Sequence, residues 1–509
     1  MPSAEPVTYS GWQSERSGFI GNLSGPGFAL VAAASVIALI PLYARSLSAA
    51  FVALPVSAVL LLLAYGRVLG LTADQWITLA VRHQIAVATS RNLFFSGLFA
   101  PRTKDGQQPM DLPGSLARLH LLEAPDGLGG HLGLMHNPIE GTYTAVARIS
   151  HPGLALVDTE KQNSRVQAWA AVLRSQCKED GAITRIAVHQ RSLPDDGATL
   201  RAWTERHISE DAPAVAVEAL DQLMAGAGPA ATIRETYLAV TLSTSRARLA
   251  IKGSGGGQRG AAAVLVRELN AMQPTLASAG LHVDQWLPPR GVAQAIRTAY
   301  DPEAHVALAE RNNAAANNPG WRGTAPGVDP ALAGPAAAEA QWGVYRHDGA
   351  WTVSYQVRNF PQGEVYATFL QPLLKPRSNA RRSLSLVYEP IGPAKARKEL
   401  AREKTKREAA RGLRAKTGRS ESEDERREAI TARAQDIARA AGHGVVRLTA
   451  LVAVTVTDLE QLEIACADLQ ADASAAGLEL RRVWGAQDDA FAASALPLAQ
   501  GLPDRRVGI

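Results

Sequence analysis

Two uncharged apolar stretches lie almost back to back near the N-terminus, and they limit what the rest of the chain can be. Residues 26–44 read PGFALVAAASVIALIPLYA, and residues 47–66 read LSAAFVALPVSAVLLLLAYG. At about 1.5 Å rise per residue, a helix of either length approaches the ~30 Å of a bilayer's hydrocarbon core. Only Arg45 and Ser46 separate them, so the spacing predicts a tight transmembrane helical hairpin. Pro41 and Pro55 fall inside the stretches, where membrane helices tolerate a kink if neighbouring groups re-satisfy the backbone. A cleaved signal peptide fits poorly. Residues 1–25 carry Glu5, Glu15 and only Arg16 in place of a basic leader, and a second apolar stretch follows at once.

Basic residues beside the spans set the expected orientation. The hairpin tip offers Arg45, whereas Arg67, Arg82, Arg91, Arg102 and Lys104 follow the second span. This bias predicts a multi-pass protein of the inner or plasma membrane, with the N-terminus and the large C-terminal body cytoplasmic. At 509 residues the chain exceeds one core, so two or three units are expected beside the hairpin. A net charge of +5 is too mild to single out nucleic acid. Cys177 and Cys466 lie far apart in sequence and fit free thiols in a reducing compartment better than a disulfide framework.

The expected organisation has five parts: an N-terminal segment with the hairpin (1–70), a juxtamembrane helix and linker (71–110), a first α/β subdomain (111–302), a linker (303–340) and a second α/β subdomain (341–509). The fold class is an α/β (α+β) body behind a two-helix anchor. Residues 71–92 read as a helix with Thr72 as N-cap and Trp76, Leu79, Ala80, His83 and Val87 on one face. Trp76, Arg82 and Arg91 suit an interfacial helix, and packing on the body fits equally well. Strands are expected around 142–150, 183–192, 236–244, 381–390 and 445–457, with a hairpin turn at His347–Asp348–Gly349. Helices are expected at 159–177, 196–207, 213–226, 363–374 and 458–477. Residues 303–340 are rich in Ala, Asn, Pro and Gly, with little apolar periodicity, and read as an interdomain linker. Residues 393–441 read as a charged helical hairpin. Eleven Lys/Arg stand against three Glu from Lys395 to Arg419, and the acidic run ESEDE follows at 421–425.

Motifs for chemistry are missing. The glycine-rich KGSGGGQRG (252–260) precedes a helix, but no Lys-Ser/Thr opens that helix, so a flexible strand-to-helix loop is expected. His131 and His136 lack a paired metal-ligand spacing. No Gly-x-Ser-x-Gly elbow occurs. No catalytic, cofactor-binding or metal residue is predicted, no cofactor is implied, and the chain reads as a non-enzyme. The basic segment 395–419 could meet anionic lipid, DNA or an acidic partner. Its charges surround the helix without aromatics, which favours a solvated hairpin or docking arm.

Two stretches carry a family resemblance. The hairpin followed by GLTADQWITLAVRHQIAVATSRN resembles the PrgI-like two-span inner-membrane subunit of type IV secretion systems. The C-terminal run ending in Gln487, Phe491, Leu496, Pro497 and Leu498 looks like the end of the N-terminal, non-catalytic region of conjugative secretion ATPases. An alanine stands where that signature has glycine, with Gly501 further on. RETYLAVTLS, LASAGLHVDQWLPPRGVAQAIRTAYDP and WTVSYQVRNFPQGEVY fit the same region. As a whole the chain resembles an actinobacterial family of integral membrane proteins of type IV-like conjugation or secretion modules. In the ATPases a nucleotide-binding domain follows the signature. Here Ile509 comes first, and no P-loop residue carries over. The resemblance implies a structural subunit of an oligomeric transfer apparatus. Its implied partners are a separate P-loop ATPase, other inner-membrane subunits and the lipid bilayer, with DNA contact open. The alternative is a core membrane component of type VII secretion.

Overall fold

The computed structural model describes residues 25–44, 47–68, 71–96, 110–127, 129–153, 157–194, 204, 207–209, 211–227, 232–317, 325–361, 363–374, 380–399, 401–402, 405, 430 and 444–502. Of the charged segment 393–441 only its start and scattered positions fall within these, and the helix expected at 196–207 lies largely outside them.

The segment TYTAVARIS forms strand β6 (Thr142–Ser150), and its alternation builds two cores at once. Ala145 and Ala147 face one side of the sheet and Val146 the other. The sheet has thirteen strands, all paired antiparallel. It runs β3 (Leu93–Phe95), β10 (Ala337–Ala340), β11 (Tyr345–His347), β12 (Ala350–Asn359), β14 (Val445–Val456), β13 (Arg381–Ile391), β7 (Ile183–Pro194), β8 (Thr232–Ser243), β6, β5 (His131–Asn137) and β4 (His120–Pro125). Strand β9 (His282–Trp286) adds to β6, and β15 (Glu479–Arg482) adds to β12. A separate ribbon pairs β1 (Arg67–Val68) with β2 (Leu71–Thr72). The α+β member of the expected class holds. The regular alternation of strand and helix does not make a parallel sheet here.

The strand order is palindromic about the β7–β13 pair. β4-β5-β6-β8-β7, with β9 on β6, is matched by β10-β11-β12-β14-β13, with β15 on β12. The match reaches individual residues. Thr144 pairs with Thr241 across β6 and β8, their hydroxyls 2.9 Å apart, and Thr352 pairs with Thr455 across β12 and β14 at 2.7 Å. β9 and β15 both join with a register shift, at Arg148/Ile149 and Val357/Asn359. Helices 257–278 and 462–475 precede these strands and end at glycines with φ +75° (Gly280) and +69° (Gly477), where a side chain would be strained. The body is therefore an internal duplication, its two copies joined edge to edge. His189 and Ser385 pair at the middle of the seven-residue seam.

The two expected subdomains thus share one sheet. The stretch expected as a linker, 303–340, holds the helix Ala304–Asn317 and strand β10. Alanine-rich runs give little hydrophobic contrast and hide their periodicity, yet alanine favours helix. The glycine-rich stretch is a joint between two helices, Arg248–Gly253 and Gly257–Ser278, with positive φ at Gly255, Gly256 and Gly257. The helix expected at 363–374 shrinks to Gln371–Leu374. Cys177 and Cys466 are both free thiols.

Helices Pro289–Tyr300 and Gln487–Ser494, one per copy, cover one sheet face around a shared core that includes Met135, Tyr237, Tyr345 and Phe491. The opposite face carries separate cores, under helices 159–175 and 257–278 in the first copy and 462–475 in the second. Buried ion pairs flank the seam. Arg191 Nε donates to Glu235 at 2.6 Å, and its other nitrogens reach the Ala295 carbonyl, Tyr237 and Thr298. On the opposite face Arg382 Nη1 meets Asp472 at 2.6 Å. Burial alone would raise Glu235, but Arg191 and Arg148 outweigh it and hold the carboxyl at about 2.

Two buried histidines make the fold sensitive to acid. Neither ring nitrogen of His189 has a hydrogen-bond partner among the described residues, and burial with Arg191 nearby pushes it down to about 3. Burial pushes His347 down to about 4. Its Nδ1–H donates to the Tyr300 carbonyl (2.5 Å), so Nε2 accepts from Thr352 (2.7 Å). Both rings are neutral when folded, whereas the unfolded chain takes up protons near 6.5. Their stabilising contribution is therefore full above pH ~6.5 and falls as the pH drops toward 4, by up to about 1.4 kcal/mol per pH unit for each ring. Urea unfolding between pH 7 and pH 5 should show this slope, and His189→Leu should lower it by about one proton. A flat profile in the native chain would contradict the assignment.

Candidate docking interface

Among the described residues, no group of three or more His, Cys, Asp or Glu could hold a metal ion. The surfaces that stand out instead tie the N-terminal helices to the body. Helices α1 (Gly25–Ala44) and α2 (Leu47–Tyr65) lie against one another through small residues. Ala34, Ala53 and Ala64 are buried, and Ser57 Oγ donates to the Ala34 carbonyl at 3.0 Å. Outward they present Val36, Leu39, Phe51, Val52 and Leu62, all well exposed. Among the described helices, the stretch Ser48–Tyr65 is long and apolar enough to cross a membrane, with mean hydropathy 2.2, while the apolar run of α1, Gly27–Pro41, is shorter.

The ribbon β1–β2 leads from α2 into α3 (Ala73–Ala88), which is shorter than the expected 71–92. Gln75 Oε1 accepts from the Thr72 backbone N–H at 3.2 Å, the return bond of a capping box. The face expected from periodicity is the one turned inward: Trp76, Leu79, Ala80 and His83 are half-buried, and Val87 is exposed. Trp76 sits 6.0 Å from Trp342 and 6.3 Å from Trp484, ring centre to ring centre. His83 meets the Trp342 ring edge-on at 5.2 Å. Gly343 and Gly485 let the indoles close in, since a Cβ at either would lie within 3 Å of a tryptophan ring. Arg82 pairs with Asp489 at 3.7 Å on a partly exposed edge. After α3 the chain adds β3 to the sheet, with Phe95, Phe94 and Leu93 paired to Ala337, Ala338 and Glu339.

The signature residues at the C-terminus sit directly behind this contact. The Gln487 side chain accepts from the Ser354 N–H (2.9 Å) and donates to the Ser354 carbonyl (3.3 Å), so its amide acts as one more strand residue beside β12. Phe491 is fully buried among Tyr300, Tyr345 and His347, at ring distances of 4.7 to 5.1 Å. Leu496 and Leu498 are buried in the same core. Asp488 is pushed up, first by burial and then by the charge of Asp489. These residues therefore close the core. Ala499, where the signature has glycine, has φ +53°, a left-handed backbone that costs a residue with a Cβ about 1–2 kcal/mol. His131 contacts Glu123 at 3.4 Å near the sheet edge, and His136 stacks on Tyr143. They form no joint site.

Trp342 and Trp484 carry the contact and were not singled out by sequence. The available signal was two tryptophans, each next to a glycine and a strand. No protein-family model and no curated protein sequence matches the chain.

Two outcomes follow from this geometry. Trp76→Ala should cost on the order of 3 kcal/mol of the α3–body contact and raise amide exchange in α3 and β3, with the exchange of β7 and β13 unchanged. Ala499→Gly should raise the melting temperature by relieving the left-handed alanine, a gain of about 1 kcal/mol, read by calorimetry.

Proposed function

We propose that this chain is a non-catalytic, membrane-anchored structural subunit of a type IV secretion or conjugative transfer apparatus, which holds a separate P-loop ATPase at the inner membrane. The observation that carries this reading is the rigid connection between the apolar helices and the sheet. A freely tethered domain would need only a flexible linker. Here Trp76 of α3 packs against Trp342 and Trp484, and β3 is hydrogen-bonded to β10. A body fixed to its anchor in this way sets the distance and orientation of whatever docks on it. α1 and α2 expose large apolar side chains along their length, among them Val36, Leu39, Phe51, Val52 and Leu62, and a large exposed apolar patch marks an interaction or membrane site. On this reading that surface faces lipid, with both helices spanning and the body on the cytoplasmic side. The order of the C-terminal signature residues supports the kinship with the non-catalytic region of secretion ATPases.

Affinity capture of the full chain from detergent-solubilised membranes should recover a P-loop ATPase. Deleting 26–66 should release a soluble body that still captures it but no longer supports transfer. Recovery of no secretion component, or normal transfer by the deletion variant, would overturn the proposal.

A further inference from the structure

A cavity of about 440 Å³ opens at one end of the seam between the two copies. Its walls come from five separate stretches of chain: the β5–β6 turn, the start of β7, the turn after β8, the end of β13 with the residues that follow, and the start of β14. Four cations converge there, Arg185, Arg246, Lys395 and Arg447, against two carboxylates, Glu140 and Glu389. Such an excess of one sign in a concave, partly enclosed site focuses the field and draws an anion.

The two pairs of cations differ in role. Arg185 is fixed by Glu140 at 2.7 Å and Glu389 at 3.8 Å. Arg447 is fixed by Glu389 at 3.9 Å and Glu399 at 3.2 Å. These carboxylates hold both guanidinium groups in place. Arg246, from the first copy, and Lys395, from the second, form no ion pair among the described residues, and both are exposed. Thr142 lines the same cavity. It is 5% exposed, and its buried hydroxyl has no hydrogen-bond partner. A buried hydroxyl left unpartnered is costly, and an acceptor oxygen entering the cavity would satisfy it.

We propose that this cavity binds a small phosphate-bearing anion, with Arg246 and Lys395 as its counter-charges and Thr142 as a hydroxyl donor. Phosphate suits the set because the guanidinium fork of Arg246 matches its oxygens and Lys395 adds a mobile point charge. The volume admits a pyrophosphate-sized group and excludes a nucleic-acid duplex. Because the walls belong to both copies, occupancy would tie them together beyond the β7–β13 hydrogen bonds. The proposal does not depend on the secretion reading.

The test is calorimetric titration of the full chain, in detergent at low salt, with inorganic pyrophosphate. One saturable site per chain is expected. Arg246→Glu with Lys395→Glu should weaken binding by at least about tenfold. The milder Arg246→Gln with Lys395→Gln should weaken it in the same direction without charge reversal. Thr142→Val should weaken it by about threefold or more at an unchanged melting temperature. Arg118→Glu, on the 3₁₀ turn before β4, should leave it unchanged. A short-chain phosphatidic acid titrated in parallel separates a lipid headgroup from a soluble phosphate, and tighter binding of either upholds the site. No saturable binding of either ligand at millimolar concentration would overturn the proposal, as would full affinity in both double variants.

Discussion

The pairing of β7 with β13 is the contact on which the rest of the body depends. Each copy of the duplicated unit would otherwise end in a long strand with open backbone donors and acceptors, a template for uncontrolled association. Joining the two equivalent strands antiparallel satisfies both edges at once and makes one sheet from two. The join also fixes where polar groups must go. His189 and Ser385 meet at its centre, and Arg191 and Arg382 lie one pairing position apart along it. The two arginines point to opposite faces and each finds a buried carboxylate, Glu235 or Asp472. Removing one partner of such a pair strands a charge, at a cost of about 3–5 kcal/mol, so these pairs restrict which register the seam can adopt. A one-residue slip would turn one of the two strands over and bring both arginines to the same face, away from one of the carboxylates.

The far edge of the second copy is handled differently. β10 is covered by β3, which belongs to the N-terminal segment. The strand that protects the edge is thus also the strand that fastens the N-terminal helices to the body. A single chain path leads from α2 through the β1–β2 ribbon and α3 to β3 and the sheet. Tryptophans at 342 and 484 brace it from the side. Displacing α3 would cost both the aromatic contacts and the edge hydrogen bonds, which makes the connection stiff without a large interface.

Much of the local structure was legible in the sequence. The alternation at 142–150 marks β6, the apolar run at 445–457 marks β14, His347–Asp348–Gly349 marks a tight hairpin, and Asp158 precedes a helix whose inward residues, Val172 and Leu173, are buried. The duplication was not read, although AVTLSTS and AVTVTDL, or ASAGL and ASAAGL, stand at equivalent places. The copies share a pattern of pairing more than a set of residues, and the charged stretch between β13 and β14 disturbs any constant repeat spacing. Parallel or antiparallel pairing also left no mark, because strands buried on both faces read alike in either arrangement. The C-terminal signature looked like a family mark. Its physical content, a glutamine completing a strand edge and a phenylalanine filling an aromatic pocket, became visible only when β12 and its neighbours were placed beside it.

The two copies differ, and the difference is directional. The ring, ion-pair and strand contacts that join α3 and β3 to the sheet fall on β10, Trp342, Trp484 and Asp489, and Ser96, just after β3, is bonded to Asp111. The first copy makes none of these contacts, and its outer strand β4 carries no further strand among the described residues. It instead has the longer helix on the outer face, 257–278 against 462–475. A duplicated fold in which one copy meets the anchor and the other is held away by a seven-residue seam is polar from end to end. If the anchor lies in the membrane, the second copy is the proximal end and the first the distal end.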